Sequence, residues 1–185
     1  MLLPALLSAL LALIPAQALT FTDVNGTRVT PLSPSAGEIH LLIFVTPDCP
    51  VANRYAPEID RIAAAYATRR VRTFLVYADA SLTDARVKTH LAEFHPSLHA
   101  AAIVDKGWLL ANETGATVTP EAVVLTPAGR VYRGRIDDWY SALGKSRASA
   151  TTHDLRDALD AVIAGKPVKT VAAPAVGCYI ERKTP

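Results

Sequence analysis

Two cysteines carry the reactive chemistry open to this sequence. Cys49 lies in FVTPDCPVANRYAPEI, Phe44 to Ile59, where an apolar run gives way to Cys-Pro and then to a helical pattern. Cys178 lies far downstream, in PAVGCYI. The first turn of a helix presents N–H groups without intrahelical partners and the positive end of the helix dipole. Both favour a thiolate over a thiol, so a cysteine there should have a lowered pKa. Pro50 suits the first helical position, where its missing N–H is not needed. Asp48 works against the thiolate if its carboxylate approaches. Ala52 stands where a Cys-x-x-Cys pair would place its second sulfur. Cys49 is therefore a reactive thiol that has lost its partner, a thiol whose partner lies elsewhere, or a small buried hydrophobe.

The elements around it alternate. FTDVNGTRV reads as two short strands about Asn25-Gly26. IHLLIFVT is a continuous apolar run, as expected of a strand covered on both faces. A helix follows from Pro50 to about Thr68, with Tyr55, Ile59, Ile62, Ala63 and Tyr66 at helical spacing. VRTFLVYA is a second buried strand. Ser81 or Thr83 caps a helix through DARVKTHLAEF, ended by Pro96. AAIVD is a short strand and KGWLLANETG a short helix stopped by Gly115. EAVVLTPAGRVYRGR reads as a hairpin. The final helix is capped by Thr151 or Thr152, carries Leu155, Ala158, Leu159, Val162 and Ile163 on one stripe, and stops at Gly165 and Pro167. Alternation implies parallel pairing and the hairpin an antiparallel addition. The expected class is α/β, with a mixed central sheet, helices on both faces and an N-terminal β-hairpin. Cys49 then falls beyond the carboxyl end of a central strand, where open α/β sheets bind ligands.

The chain has 185 residues, half of them apolar and 19% charged, enough for one domain with a sizeable core. Its net charge of +2 comes without a basic stripe, so no nucleic-acid partner is expected. Residues 1–18 read as an export leader. An apolar stretch from Leu2 to Ile14 precedes Ala16-Gln17-Ala18, although no Lys or Arg opens it. A single domain over 19–165 and a tail over 166–185 carrying Cys178 would remain, without a membrane segment. Periplasmic or extracellular export would place both cysteines in an oxidising compartment.

Taken together, these motifs resemble the thioredoxin superfamily, and within it the peroxiredoxin-like redoxin proteins of the AhpC/TSA-like branch. Cys49-Pro50 follows a buried strand, and Thr46 stands three residues before the cysteine, as in a Thr-x-x-Cys motif. Pro57 lies eight residues after Cys49, where thioredoxins carry a helix-kinking proline. GATVTPEAVVLTPAGRVYRGRIDD resembles the segment holding the cis-proline of that fold. The resemblance implies a thioredoxin-like fold with Thr119-Pro120 as the cis dipeptide facing Cys49. It also implies Cys49 as a redox nucleophile assisted by Thr46, with Pro50, Thr119 and Pro120 meeting an extended peptide or thiol substrate. Two departures bear on a peroxidase. Leu42 replaces the proline of the Pro-x-x-x-Thr-x-x-Cys pattern, and Glu121, with no arginine, follows Pro120. Arg54, Arg130, Arg133 and Arg135 are the arginines left to serve the thiolate.

Cys178 can resolve an oxidised Cys49 to a disulfide or pin the tail permanently, and both readings stand. The expected partners are a thiol or peroxide substrate, an external thiol reductant and a protein partner. No cofactor and no resident metal are expected. The alternative is a non-catalytic binding module, or a copper-handling protein in which Cys49, Cys178 and a histidine bind Cu(I). The remaining polar signals read as structural. His95 and His99 belong to a solvated helix end, His90 and His153 to helix surfaces, and Asp137-Asp138 to a helix start.

Overall fold

A computed structural model of the chain describes residues 18–170 and 172–182. The expected leader lies outside these residues, apart from Ala18. β1 (Phe21–Thr22) and β2 (Arg28–Val29) pair antiparallel around Gly26, whose φ of 85° suits a residue without a side chain. β3 (Ile39–Phe44) leads into α1 (Pro50–Ala67). β4 (Val71–Tyr77), α2 (Asp84–Phe94), β5 (Ala101–Val104) and α3 (Leu109–Thr114) follow. Next come β6 (Val118–Thr119), β7 (Glu121–Thr126) and β8 (Gly129–Gly134). A small hairpin of β9 (Tyr140–Ala142) and β10 (Lys145–Ser146) precedes α4 (Asp154–Ile163). The tail contributes β11 (Ala172–Ala173) and β12 (Cys178–Tyr179).

Six strands form the central sheet in the order β11-β8-β7-β3-β4-β5. β3, β4 and β5 run parallel, and β7 runs antiparallel to both β3 and β8. Because strand side chains alternate, Leu41 and Ile43 face one layer while Leu42 and Phe44 face the other. The first layer holds α1, α2 and α4, with Ile59, Ile62, Val87, Leu155 and Leu159 fully buried. The second holds α3 and the N-terminal hairpin over Phe74, Ile103 and Leu110. Each such apolar side chain contributes about 1.5–3 kcal/mol by leaving water. β3 thus sits at the centre with both faces covered, and its continuous apolar run is explained.

Several residues expected on surfaces or at caps are placed differently. His90 is buried: its Nε2 donates to Asn53 Oδ1 and its Nδ1 accepts from the Tyr77 hydroxyl, both at 2.9 Å. His95 is buried as well, and donates to Asp60 at 2.7 Å instead of ending a helix in solvent. Asp137 and Asp138 start no helix. Asp137 accepts from the Tyr55 hydroxyl at 2.5 Å and from the Trp139 N–H. Asp138 accepts from the Thr151 N–H and hydroxyl and from the Thr152 N–H. Those bonds take the two threonines away from capping, so the residue before α4 is His153, whose side chain makes no cap bond. Thr83, in contrast, caps α2 by accepting from the Arg86 N–H at 3.2 Å.

Candidate redox-active site

The end of β3 and the start of α1 place Cys49. Its backbone is extended, with φ −96° and ψ 107°, and it occupies the N-cap of α1 with Pro50 as the first helical residue. The Ala52 N–H donates to Cys49 Sγ at 3.4 Å, so the sulfur fills the role that a Ser or Asp oxygen usually takes at a cap. The Cys49 N–H donates to the Thr46 carbonyl at 3.2 Å, which is how Thr46 meets the cysteine. Asp48 points into solvent and pairs with Arg86 at 3.2 Å, so its charge is compensated away from the sulfur.

A hydrogen-bonded chain stiffens this loop from behind. Asn53 donates to the Pro47 carbonyl at 2.8 Å, and its side-chain oxygen accepts from His90. His90 in turn receives the Tyr77 hydroxyl. The loop before Cys49 is thereby tied to α1, α2 and β4. Burial is the first cause holding His90 down to about 4, with the nearby His95 the second. Tyr77 is pushed well above the usual phenol range, chiefly by burial.

The peptide bond between Thr119 and Pro120 is cis, and both residues are buried. The Cys49 thiol donates to the Thr119 carbonyl at 3.0 Å, which brings the cysteine and the Thr119-Pro120 dipeptide together across 70 residues of sequence. Glu121 positions this dipeptide. Its carboxylate accepts from the Thr117 N–H at 2.7 Å and the Val118 N–H at 3.4 Å, and Arg133 lies 3.6 Å away. A buried acid immediately after a cis-proline gives no such signal in the sequence; its role emerges only from the turn it closes.

The tail completes the site. β12 pairs antiparallel with β6, with Cys178 opposite Thr119 and Tyr179 opposite Val118. The Ile180 N–H donates to the Thr117 carbonyl at 2.9 Å. The Thr119 hydroxyl donates to the Cys178 carbonyl at 3.4 Å. Gly177 lies so close to Thr119 that a Cβ there would fall 1.9 Å from its carbonyl oxygen. Both cysteines are free thiols, and Thr119 brings them close together, since it pairs with Cys178 across the strands while its carbonyl accepts from Cys49. Cys49 is fully buried beneath this strand, while Cys178 is partly exposed.

The electrostatics of the two sulfurs diverge. Burial pushes the Cys49 pKa up, but donation from the Cys178 thiol, the Ala52 N–H, Thr119 and the Cys178 backbone outweighs it, and the net shift is downward. Cys178 is pushed up to about 12 by burial, by its bond to the Cys49 sulfur and by the charge there. When the pair loses its first proton, Cys49 is the sulfur favoured to give it up and Cys178 the one favoured to keep its own.

The four candidate arginines are engaged elsewhere. Arg54 lies against the Trp139 ring and 3.5 Å from the Tyr140 hydroxyl. Arg130 donates to the Thr114 carbonyl at 2.6 Å, and Arg133 donates to the Gly115 carbonyl. Arg135 pairs with Asp154 at 2.9 Å. Among the described residues, no group of three or more His, Cys, Asp or Glu is arranged to hold a metal ion. No helix among them is long and apolar enough to cross a membrane.

No protein-family model matches the chain, and no curated protein matches it in sequence. Solved structures do. A hypothetical protein from Sinorhizobium meliloti is 25% identical, with a TM-score of 0.74 over 90% of this chain and 92% of that one. An uncharacterised conserved protein from Geobacillus kaustophilus is 23% identical, with a TM-score of 0.76 over 99% of this chain and 98% of that one. A secreted disulfide oxidoreductase of Mycobacterium tuberculosis, homologous to Escherichia coli DsbE, is 18% identical, with a TM-score of 0.52 over 80% of this chain and 96% of that one. The likeness does not single out the peroxiredoxin-like branch. With its mixed sheet, its cis-proline facing a cysteine at a helix N-terminus and these structural neighbours, the chain has a thioredoxin-like fold.

Proposed function

We propose that the protein is an exported thiol–disulfide oxidoreductase whose redox pair is Cys49 and Cys178. One observation carries this reading: two thiols from opposite ends of the domain meet at a helix N-terminus beside Thr119-Pro120, and one of them is held toward the thiolate. The helix cap supplies the stabilisation that Cys-x-x-Cys enzymes draw from the same place, while the second sulfur comes from the tail. Cys49 serves as the nucleophile or leaving group, and Cys178 serves as its resolving partner. Export is supported by the sequence of residues 1–18 and by the secreted structural neighbour. Thr119, with Pro120 and Pro50 beside it, forms the wall on which a substrate meets the sulfurs.

Peroxide is the alternative oxidant of the same thiol. The engagement of Arg54, Arg130, Arg133 and Arg135 with other partners speaks against it, so peroxide consumption should be slow beside disulfide exchange. The test is mass mapping of the reduced protein after exposure to a mild disulfide oxidant, followed by assay of reduction or oxidation of a model protein disulfide. The expected results are one intramolecular Cys49–Cys178 disulfide, loss of activity in Cys49→Ser, and a mixed disulfide with the partner trapped in a single-cysteine variant. Two thiols that stay unlinked and inert under oxidant would rule the reading out.

A further inference from the structure

Thiol exchange requires that an incoming thiolate reach a sulfur along the axis of the bond it breaks, so the buried and exposed members of a pair are not equivalent. Cys49 has no exposed surface. The strand that covers it also occupies the free edge of β6, the edge at which an extended partner would otherwise pair with Thr119. The Ile180 N–H bond to the Thr117 carbonyl, the Thr119 hydroxyl bond to the Cys178 carbonyl, the close seat of Gly177, and Arg182 donating to the Ala116 carbonyl at 2.6 Å hold that strand down. Beside it lies a cleft of about 300 Å³ lined by Thr46, Asp48, Asp79, Thr119, Cys178 and Glu181. Cys178 opens into this cleft, and Cys49 does not line it.

We propose, building on the reading above, that Cys178 is the sulfur through which the pair exchanges with its partner, and that the favoured partner is a thiol in neutral or cationic surroundings. In the oxidised protein the partner thiolate attacks Cys178 Sγ. A bond forms between the partner sulfur and Cys178, the Cys49–Cys178 bond breaks, and its electron pair remains on Cys49 as a thiolate. A second partner thiolate then attacks the partner's sulfur in the mixed disulfide and releases Cys178, which takes a proton from water. Two partner thiols become one disulfide, and the protein gains two electrons. The order follows from access and from the leaving group: exchange is faster when the departing thiol is the more acidic one. Ala52 and the start of α1 make Cys49 that thiol. Three carboxylates line the cleft. Asp48 is paired with Arg86, and Asp79 accepts from the Ser81 backbone and hydroxyl. Glu181 adds a further negative charge. With Asp48 compensated by Arg86, Asp79 and Glu181 are the charges that repel an anionic thiol.

The test begins with the full-length oxidised protein and less than one equivalent of cysteamine, a cationic thiol. The reaction is stopped in acid within the first turnover and the adduct is mapped by mass. The expected product carries cysteamine on Cys178 with Cys49 free. An adduct on Cys49 overturns the proposal and leaves the proposed redox pair standing. Failure to form any Cys49–Cys178 disulfide beforehand overturns both. Single-cysteine variants guard against migration of the adduct. The Cys178 thiol of Cys49→Ser should react with cystamine at least about tenfold faster, per thiolate, than the covered Cys49 thiol of Cys178→Ser. Equal rates count against it. The same oxidised protein should react several-fold faster with cysteamine than with 2-mercaptoethanesulfonate, each corrected for its thiolate fraction, and salt should narrow the gap. Equal rates with the two probes overturn the assignment of partner charge.

Discussion

Ionisation of Cys49 is a contest between burial, which favours the neutral thiol, and converging donors, which favour the anion. The donors prevail because two come from fixed backbone, at Ala52 and Cys178, and lose little freedom in pointing at the sulfur. Ultraviolet titration of thiolate absorbance in reduced protein should therefore give a first midpoint below that of a free thiol. In Cys178→Ser the hydroxyl is a different donor and the second thiol is gone, so that midpoint should move; in Cys49→Ser it should vanish. His90 gives a second prediction, on stability. Its pKa is about 4 in the folded protein against 6.5 for an ordinary histidine, so between these values the unfolded chain binds a proton that the native protein does not. Stability is then fully present above about pH 6.5 and declines as pH falls toward 4, by at most roughly 3 kcal/mol. Denaturant titrations across that window should show the slope, and a His90→Gln variant should flatten it. The positions of His90 and His95 could not be read from the sequence. Helical spacing shows which side chains share a face, but their burial depends on Asn53, Tyr77 and Asp60 from other elements, which supply partners for the ring nitrogens.

Elements with a strong side-chain pattern were legible: β3, β4, α1, α2, the β7–β8 hairpin and α4 lie close to where periodicity puts them, although α4 forms without the expected threonine cap. The strand-to-helix seat of Cys49 was equally clear, since it needs only an apolar run followed by Cys-Pro. The short pairings were not. β9, β10, β11 and β12 have two or three residues each, and their hydrogen bonds come from backbone that any sequence carries. What marks the tail strand is a glycine. Gly177 alone permits the approach to Thr119, and a Cβ there meets main-chain atoms that have nowhere to move. Gly177→Val should lift β12 from β6. If docking weakens by about 1.4 kcal/mol, the uncovered state is populated about tenfold more often. Alkylation of Cys49 in reduced protein should accelerate accordingly, with hydrogen exchange rising at Ile180. An unchanged alkylation rate would mean that the tail does not control access.

For the molecule as a whole, the two cysteines lie near opposite ends of the folded domain, and joining them closes most of the chain into one loop. In the chain-entropy account, a loop of that length removes freedom from the unfolded state worth about 5 kcal/mol. Oxidised protein should therefore resist denaturant more than reduced protein, with the midpoint shifted and the difference lost in Cys178→Ser. Oxidation state and stability are in this way coupled through a single bond.

The tail touches the body at two bare patches of main chain. At the first, Gly134 lies so near Ala173 that a Cβ would sit 2.1 Å from the Ala173 oxygen; the second is the seat of Gly177. Between these fixed points run only Pro174, Ala175 and Val176. That short bridge acts as a ruler. Pro174 is exposed and open to exchange, and Val176 packs on the core, but the residue count is the tighter constraint, since one residue more or fewer would unseat an anchor or swing the sulfur at 178 out of line. Selection on this stretch should act on length before it acts on composition.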